Sequence, residues 1–142
     1  MKYTVAMVNS TERIRVFICG SALRGQPDNH NLQSAEFLGV TKTAPNYRLH
    51  SVENGWHPGI YRTETAGVAI PGEIYALTPE QFGHLEDSEP PHMYPASVDL
   101  ADGSQAIAFL YPEELIITHN WPDISTYGGW AAYKAATGAE QT

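Results

Sequence analysis

Two short segments of this sequence hold residue types that can bind an anion and move a proton. The first is Val16-Phe17-Ile18-Cys19-Gly20-Ser21-Ala22-Leu23-Arg24-Gly25. A strand-like run that delivers a glycine and small residues into a loop exposes successive backbone N–H groups, and such a cradle can hold a carboxylate without any cation. The same residues also read as a tight turn that needs Gly20 for its dihedrals. No Gly-Lys-Ser/Thr follows, so this is not a P-loop. The second segment is Leu85-Glu86-Asp87-Ser88-Glu89-Pro90-Pro91, in which Glu86, Asp87 and Glu89 crowd together at the end of an expected helix. Carboxylates there repel one another and are opposed by the helix dipole. A carboxyl such as Glu89, held in a partly apolar pocket, has its pKa raised and can act as a general base near neutrality. A solvated acidic helix end is the alternative reading.

Other chemistry-bearing residues point nowhere by spacing alone. The six histidines, His30, His50, His57, His84, His92 and His119, show no His-x-His, His-x₃-His or His-Glu-x-x-His pattern, so no metal site is expected. Cys19 lies in an apolar run without an adjacent base or cation, which suits a buried, inert thiol. Ser21 lacks a Gly-x-Ser-x-Gly setting. Trp56, Trp121 and Trp130, with Tyr127 and Tyr133, serve packing first and cavity lining second.

Composition narrows the partners. The chain has 142 residues, 42% of them hydrophobic and 17% charged, which suits one globular domain. Lys and Arg number 8 against 16 Asp and Glu, a net charge of −8. That balance argues against nucleic acid or an anionic membrane, both of which demand clustered cations. An anionic substrate would then need a site lined by amides or made locally positive. No apolar run approaches the roughly 20 residues that span a bilayer. Met1-Lys2-Tyr3-Thr4-Val5 lacks the apolar core of a leader. One cysteine fits a reducing compartment, so a cytoplasmic location is expected.

The elements that must position these residues read mostly as strands. Ile14–Cys19 is a buried strand feeding the first loop, and 32–38 is weakly helical or irregular. Residues 39–43 and 47–52 alternate like a strand pair, and Asn54-Gly55 is turn chemistry. Pro71 marks a bulge or break before the strand 72–77. Thr78-Pro79-Glu80-Gln81 is a capping box that starts a helix ending near Ser88, with Phe82 and Leu85 facing inward. The strands 97–100 and 105–111 flank Ala101-Asp102-Gly103-Ser104 as a hairpin. A short helix covers 131–136. The class is α+β.

Together the two chemical segments resemble the gamma-glutamylcyclotransferase-like (AIG2-like) superfamily. Phe17-Ile18-Cys19-Gly20-Ser21-Ala22-Leu23 is similar to the family's Tyr-Gly-Ser/Thr-Leu loop, with Asn29 and Leu32 matching its continuation. Ala35–Gly39, Trp56-His57-Pro58-Gly59-Ile60 and Gly72-Glu73-Ile74-Tyr75 are similar to later elements. Leu85–Glu89 falls where the family shows Leu-Asp-x-x-Glu, ending in its catalytic glutamate. This likeness covers roughly residues 14–112. A second likeness covers more of the chain: Thr43–Leu49, Leu100–Ser104 and Asp123-Ile124-Ser125-Thr126-Tyr127-Gly128-Gly129-Trp130-Ala131-Ala132-Tyr133 resemble the C-terminal domain of allophanate hydrolases, which has the same fold. That domain follows an amidase and is implicated in decarboxylating its product, N-carboxycarbamate. Departures exist from both patterns. Those domains tend to carry Gly-Ala-His-Leu in the first loop and an apolar residue at the position of Glu89. Cys19 replaces the cyclotransferase tyrosine, and Pro90-Pro91 replaces the usual continuation.

The resemblance implies a mixed β-sheet or barrel core with a few short helices. It implies one domain over 1–142, with an allophanate-hydrolase-like tail at about 113–142 and no amidase alongside. It also implies a cofactor-free, metal-free enzyme with Glu89 as catalytic acid and base. Cys19, Gly20, Ser21, Ala22 and Leu23 would hold a substrate carboxylate, while the amine of a gamma-glutamyl compound attacks its own gamma-carbonyl and 5-oxoproline is released. The alternatives are action on, or decarboxylation of, a small carboxylated urea derivative of the N-carboxycarbamate type, or non-catalytic binding of a small acid. The expected partners are a small molecule bearing a carboxylate and, among proteins, a second copy or an amidase.

Overall fold

The apolar run Ile14–Ile18 becomes β1, the central strand of the fold in a computed structural model that describes residues 12–138. Met1–Val5, read above as lacking a leader's apolar core, and the last four residues of the tail lie outside the described residues. Val16 and Phe17 are buried in β1, as a β-branched and aromatic strand between two neighbours should be. β2 (Glu36–Lys42), β3 (Tyr47–Val52), β4 (His57–Arg62) and β5 (Pro71–Leu77) follow, then helix α1 (Pro79–Asp87). β6 (Tyr94–Asp99), β7 (Gln105–Leu110) and helices α2 (Glu113–His119) and α3 (Trp130–Thr137) complete the chain.

Five strands form one sheet in the order β2-β5-β1-β7-β6, and β3 and β4 form a separate two-stranded ladder. β1 runs antiparallel to β5, with Val16 opposite Tyr75, and parallel to β7, with Val16 opposite Ile107. The fold is the expected α+β type, but the sheet is not a closed barrel. Among the described residues its two edges meet at one corner, where Thr43 bridges Leu100 and the Ala44 and Ala101 N–H groups donate to Asp99 and Lys42 carbonyls.

Local signals formed as expected in several places. Thr78 caps α1 with a full capping box, its hydroxyl accepting from the Gln81 N–H while the Gln81 side chain accepts from the Thr78 N–H. The 94–99 and 105–110 strands make the hairpin. Pro71, which has no N–H to give a ladder, stands at the first position of β5.

Three expectations are corrected. Residues 39–43 do not pair with 47–52; 39–42 belong to β2, which pairs with β5, with a bulge between Phe37 and Gly39, and β3 pairs with β4. Phe37 and Leu38 belong to β2 and not to an irregular stretch, since the turn Pro27–Leu32 ends before them. α2, which the sequence reading left out, carries one buried residue, Ile116. The core lies between the sheet, α1, the β3–β4 ladder and the carboxy-terminal segment, with Tyr47, Leu77, Leu85, Ile124 and Trp130 almost fully enclosed. No helix among the described residues is long and apolar enough to cross a membrane.

Candidate functional site

The loop after β1 and the end of α1 come together. A pocket of about 50 Å³ is lined by Cys19, Gly20, Ser21 and Ala22 on one side and by Glu89 and Pro90 on the other. His57 and Pro58 of β4, Met93 and Phe109 complete it. Space of this size holds a few waters or one compact solute.

The loop is held open by its own neighbours. Leu23 N–H donates to the Gly20 carbonyl and Asp28 N–H to the Ser21 carbonyl, closing two turns. Asn29 Nδ2 donates to the Ala22 carbonyl at 2.8 Å and to Tyr75 Oη at 3.2 Å. Beneath them Glu73, only 7% exposed, accepts from Tyr75 Oη, from Arg24 N–H at 3.1 Å and from Arg24 Nε at 3.3 Å. These bonds engage the loop carbonyls. They leave the N–H groups of Gly20, Ser21 and Ala22 without an acceptor among the described residues, and Ser21 Oγ is likewise unengaged. Successive unpaired N–H groups in a loop that lines a cavity are the arrangement in which an anion can be held. Among the described residues no Lys or Arg lines the pocket.

Gly20 is required by a close approach. A Cβ there would lie 2.7 Å from Pro58 Cγ and 2.9 Å from Pro58 Cδ. Gly72 plays the same part beneath, where a Cβ would collide with the Ile18 carbonyl oxygen and the Phe17 ring.

Glu89 leaves the acidic cluster to which its sequence assigns it. Glu86 and Asp87 are exposed on α1, whereas Glu89 is half-buried against the pocket. Burial, with a smaller contribution from the charge of Asp28, raises its carboxyl from 4.5 to about 7. No hydrogen bond to its carboxyl group is present among the described residues. Burial, aided by Glu89, pushes the Cys19 thiol up to about 12. That thiol is protonated at neutral pH and is a poor nucleophile.

The structure therefore gathers Cys19, Gly20, Ser21, Ala22 and Glu89 around one cavity. Leu23 is not with them: its side chain is buried, its N–H is engaged by Gly20, and it lines a different, more open cleft near Lys42 and Trp130. Among the described residues no group of three His, Cys, Asp or Glu side chains could hold a metal ion.

A sequence model of the allophanate hydrolase C-terminal domain matches residues 14–135. The chain belongs to this family. Urea amidolyase of Saccharomyces cerevisiae is 31% identical over 126 residues, covering 84% of this chain, and that of Lachancea kluyveri is 28% identical over 132 residues, covering 89%. The chain spans 7% of the length of either relative. Kluyveromyces lactis allophanate hydrolase superposes with a TM-score of 0.81 at 26% identity, over 95% of this chain and 22% of that one. A uropathogenic E. coli-specific protein gives 0.81 at 29%, over 88% and 98%. An AIG2-like protein of Mus musculus gives 0.63 at 21%, over 82% and 88%, a likeness of fold.

In this allophanate hydrolase C-terminal domain, three residues around the site had no role assigned by sequence reasoning. Asn29 and Glu73 prop the loop, and His57 lines the pocket. All three stand in segments that the family likeness marks. Only the β3–β4 register, with Val52 opposite His57, and the packing of β4 under Gly20 bring His57 to the cavity.

Proposed function

We propose that this chain binds a compact carboxylated urea derivative of the N-carboxycarbamate type and promotes its decarboxylation, with Glu89 as proton donor. The observation that carries this reading is the facing pair in one small pocket: unengaged N–H groups of Gly20 to Ala22, and a Glu89 carboxyl that is about half protonated near pH 7. One carboxylate of the ligand sits on the cradle. Glu89 delivers its proton to the central nitrogen. The bond from that nitrogen to the second carboxyl carbon then breaks, its electron pair stays on nitrogen, and carbon dioxide leaves. Carbamate remains, and Glu89 regains a proton from water. Family membership supports the choice of substrate class, and the volume of about 50 Å³ suits an acid of few heavy atoms.

The cyclotransferase reading is the second, and the placement of Glu89 opposite the cradle favours it. There the cradle holds the alpha-carboxylate of a gamma-glutamyl compound. Glu89 takes a proton from its ammonium, the freed amine attacks the gamma-carbonyl, and the proton passes to the departing amine as 5-oxoproline forms. The two readings differ in the sign of their pH dependence. A proton donor at about 7 loses activity as pH rises through that value, whereas a proton acceptor loses it as pH falls.

The test supplies allophanate to an allophanate-hydrolysing amidase with and without this chain, and follows carbon dioxide release. Acceleration by the wild type and none by Glu89→Gln is expected. Equal release with and without the chain removes the first reading. Release of 5-oxoproline from a gamma-glutamyl amine would put the second in its place.

A further inference from the structure

His57 is 2% exposed, and its Nδ1 lies 3.0 Å from the Pro58 carbonyl oxygen. A carbonyl only accepts, so Nδ1 carries the proton and Nε2 presents a lone pair. That Nε2 exposes almost no surface and has no hydrogen-bond partner among the described residues, so a ligand N–H reaches it by a small shift of the ring or of the pocket wall. A buried acceptor left unpaired has lost its water and gained nothing in return.

Neither ring packed edge-on against it, Trp56 at 5.3 Å or Tyr111 at 5.8 Å, gives it a hydrogen bond, and the Tyr111 hydroxyl donates to Glu53. Glu53 also faces the ring electrostatically, yet as a carboxylate it can only accept. Burial lowers the His57 pKa, which keeps the ring neutral.

His57 lines the same pocket as the Gly20–Ala22 cradle. The loop offers donors without acceptors, and His57 offers an acceptor without a donor. A ligand that satisfies both carries an anionic oxygen group at one end and an N–H close to it. We infer that His57 Nε2 accepts a hydrogen bond from an N–H of the bound ligand, so that the pocket selects compact acids with an N–H beside the carboxylate over acids of the same shape with a methyl group there. His57 has this role only if the pocket is the carboxylate site proposed above. It is then a specificity residue, acting whether or not Glu89 turns the ligand over.

Oxamate and pyruvate make the comparison directly, because they differ by NH₂ against CH₃ at nearly constant shape. Titration of the wild-type chain should show oxamate binding about tenfold tighter, the worth of one hydrogen bond. In His57→Phe, which keeps a ring but no acceptor, the preference should fall to about one with pyruvate affinity retained. The wild type provides a second readout that does not depend on that variant folding. Its imidazole ¹⁵N spectrum should show an unprotonated Nε2 whose signal moves with oxamate and stays in place with pyruvate. Equal affinities in the wild type, an oxamate preference that survives in His57→Phe, or an Nε2 signal indifferent to oxamate each overturns the inference while leaving the carboxylate site standing. If neither acid binds at millimolar concentration, the carboxylate site and the role of His57 fall together.

Discussion

The β3–β4 ladder carries two histidines that end in opposite circumstances. His50, on β3, has both ring nitrogens engaged: Nδ1 lies 3.0 Å from the Trp121 carbonyl, and Nε2 lies 3.2 Å from Tyr61 Oη and 3.4 Å from Asp123. Asp123 in turn accepts from Arg48 Nη2 at 2.8 Å and from the Ser125 N–H. Ser125 Oγ accepts from the buried Leu49 N–H and donates back to the Leu49 carbonyl. These groups fasten the carboxy-terminal segment to β3. Around His57, by contrast, one ring nitrogen, the Glu89 carboxyl and three successive amides have no partner among the described residues. Polar groups that satisfy one another hold a fold together, whereas polar groups left unsatisfied around a cavity are available to a ligand.

Each side of that contrast can be attacked. The largest effect should come from Glu89→Gln, which is expected to lower turnover by about 10²- to 10⁴-fold while leaving the His50 cluster intact. The same substitution should change how stability depends on pH. The folded-state pKa of about 7 lies above the ordinary 4.5. The contribution of Glu89 is therefore fully present below 4.5 and is lost as pH rises through about 7. Urea denaturation at pH 4.5 and pH 8 should show the wild type losing roughly 1–2 kcal/mol from this group, after allowance for its partial exposure, and the variant losing less. An unchanged difference would mean that Glu89 is solvated like Glu86.

Gly20→Ala comes next. Its Cβ must displace Pro58, so a loss of about 1–3 kcal/mol is expected, accompanied by loss of small-acid binding as the loop shifts. Retained binding would show that the cradle does not depend on the contact with β4. Ser125→Ala should cost about 1–3 kcal/mol by stranding the buried Leu49 amide, yet leave ligand affinity unchanged. A fall in affinity there would break the division between the two regions. Arg48→Ala should have the smallest effect, at most about 1 kcal/mol, since this ion pair is partly exposed. Thermal melts at low and high salt would register it.

What the sequence discloses is chiefly what neighbouring residues decide between themselves. The capping box at Thr78, the Asp102-Gly103 turn and the apolar run of β1 are legible because each signal lies within a few residues. That the Gly20–Ala22 loop and Glu89 share one cavity was legible through the family likeness, which set the two segments side by side. The partner of β2 was not legible, because alternation along 36–42 tells which face is buried and says nothing about which strand lies alongside. α2 escaped because its seven residues bury one side chain and begin after Pro112 without a side-chain cap. His57 escaped because a histidine before Pro-Gly looks like a loop residue until β4 is seen to pass beneath Gly20.

The central position of β1 also governs when the pocket can exist. Its ladder partners are β5 and β7, so Val16 must wait for Tyr75 and then Ile107 before its strand has both neighbours. Pairings so distant along the chain make folding slow, in the millisecond-to-second range typical of sheets with non-local contacts. On a ribosome the residues of the Gly20–Ala22 loop are made before β7, but the loop cannot be shaped until β7 has emerged. Acid binding would therefore report completion of the whole sheet, and any chain truncated before β7 should lack it.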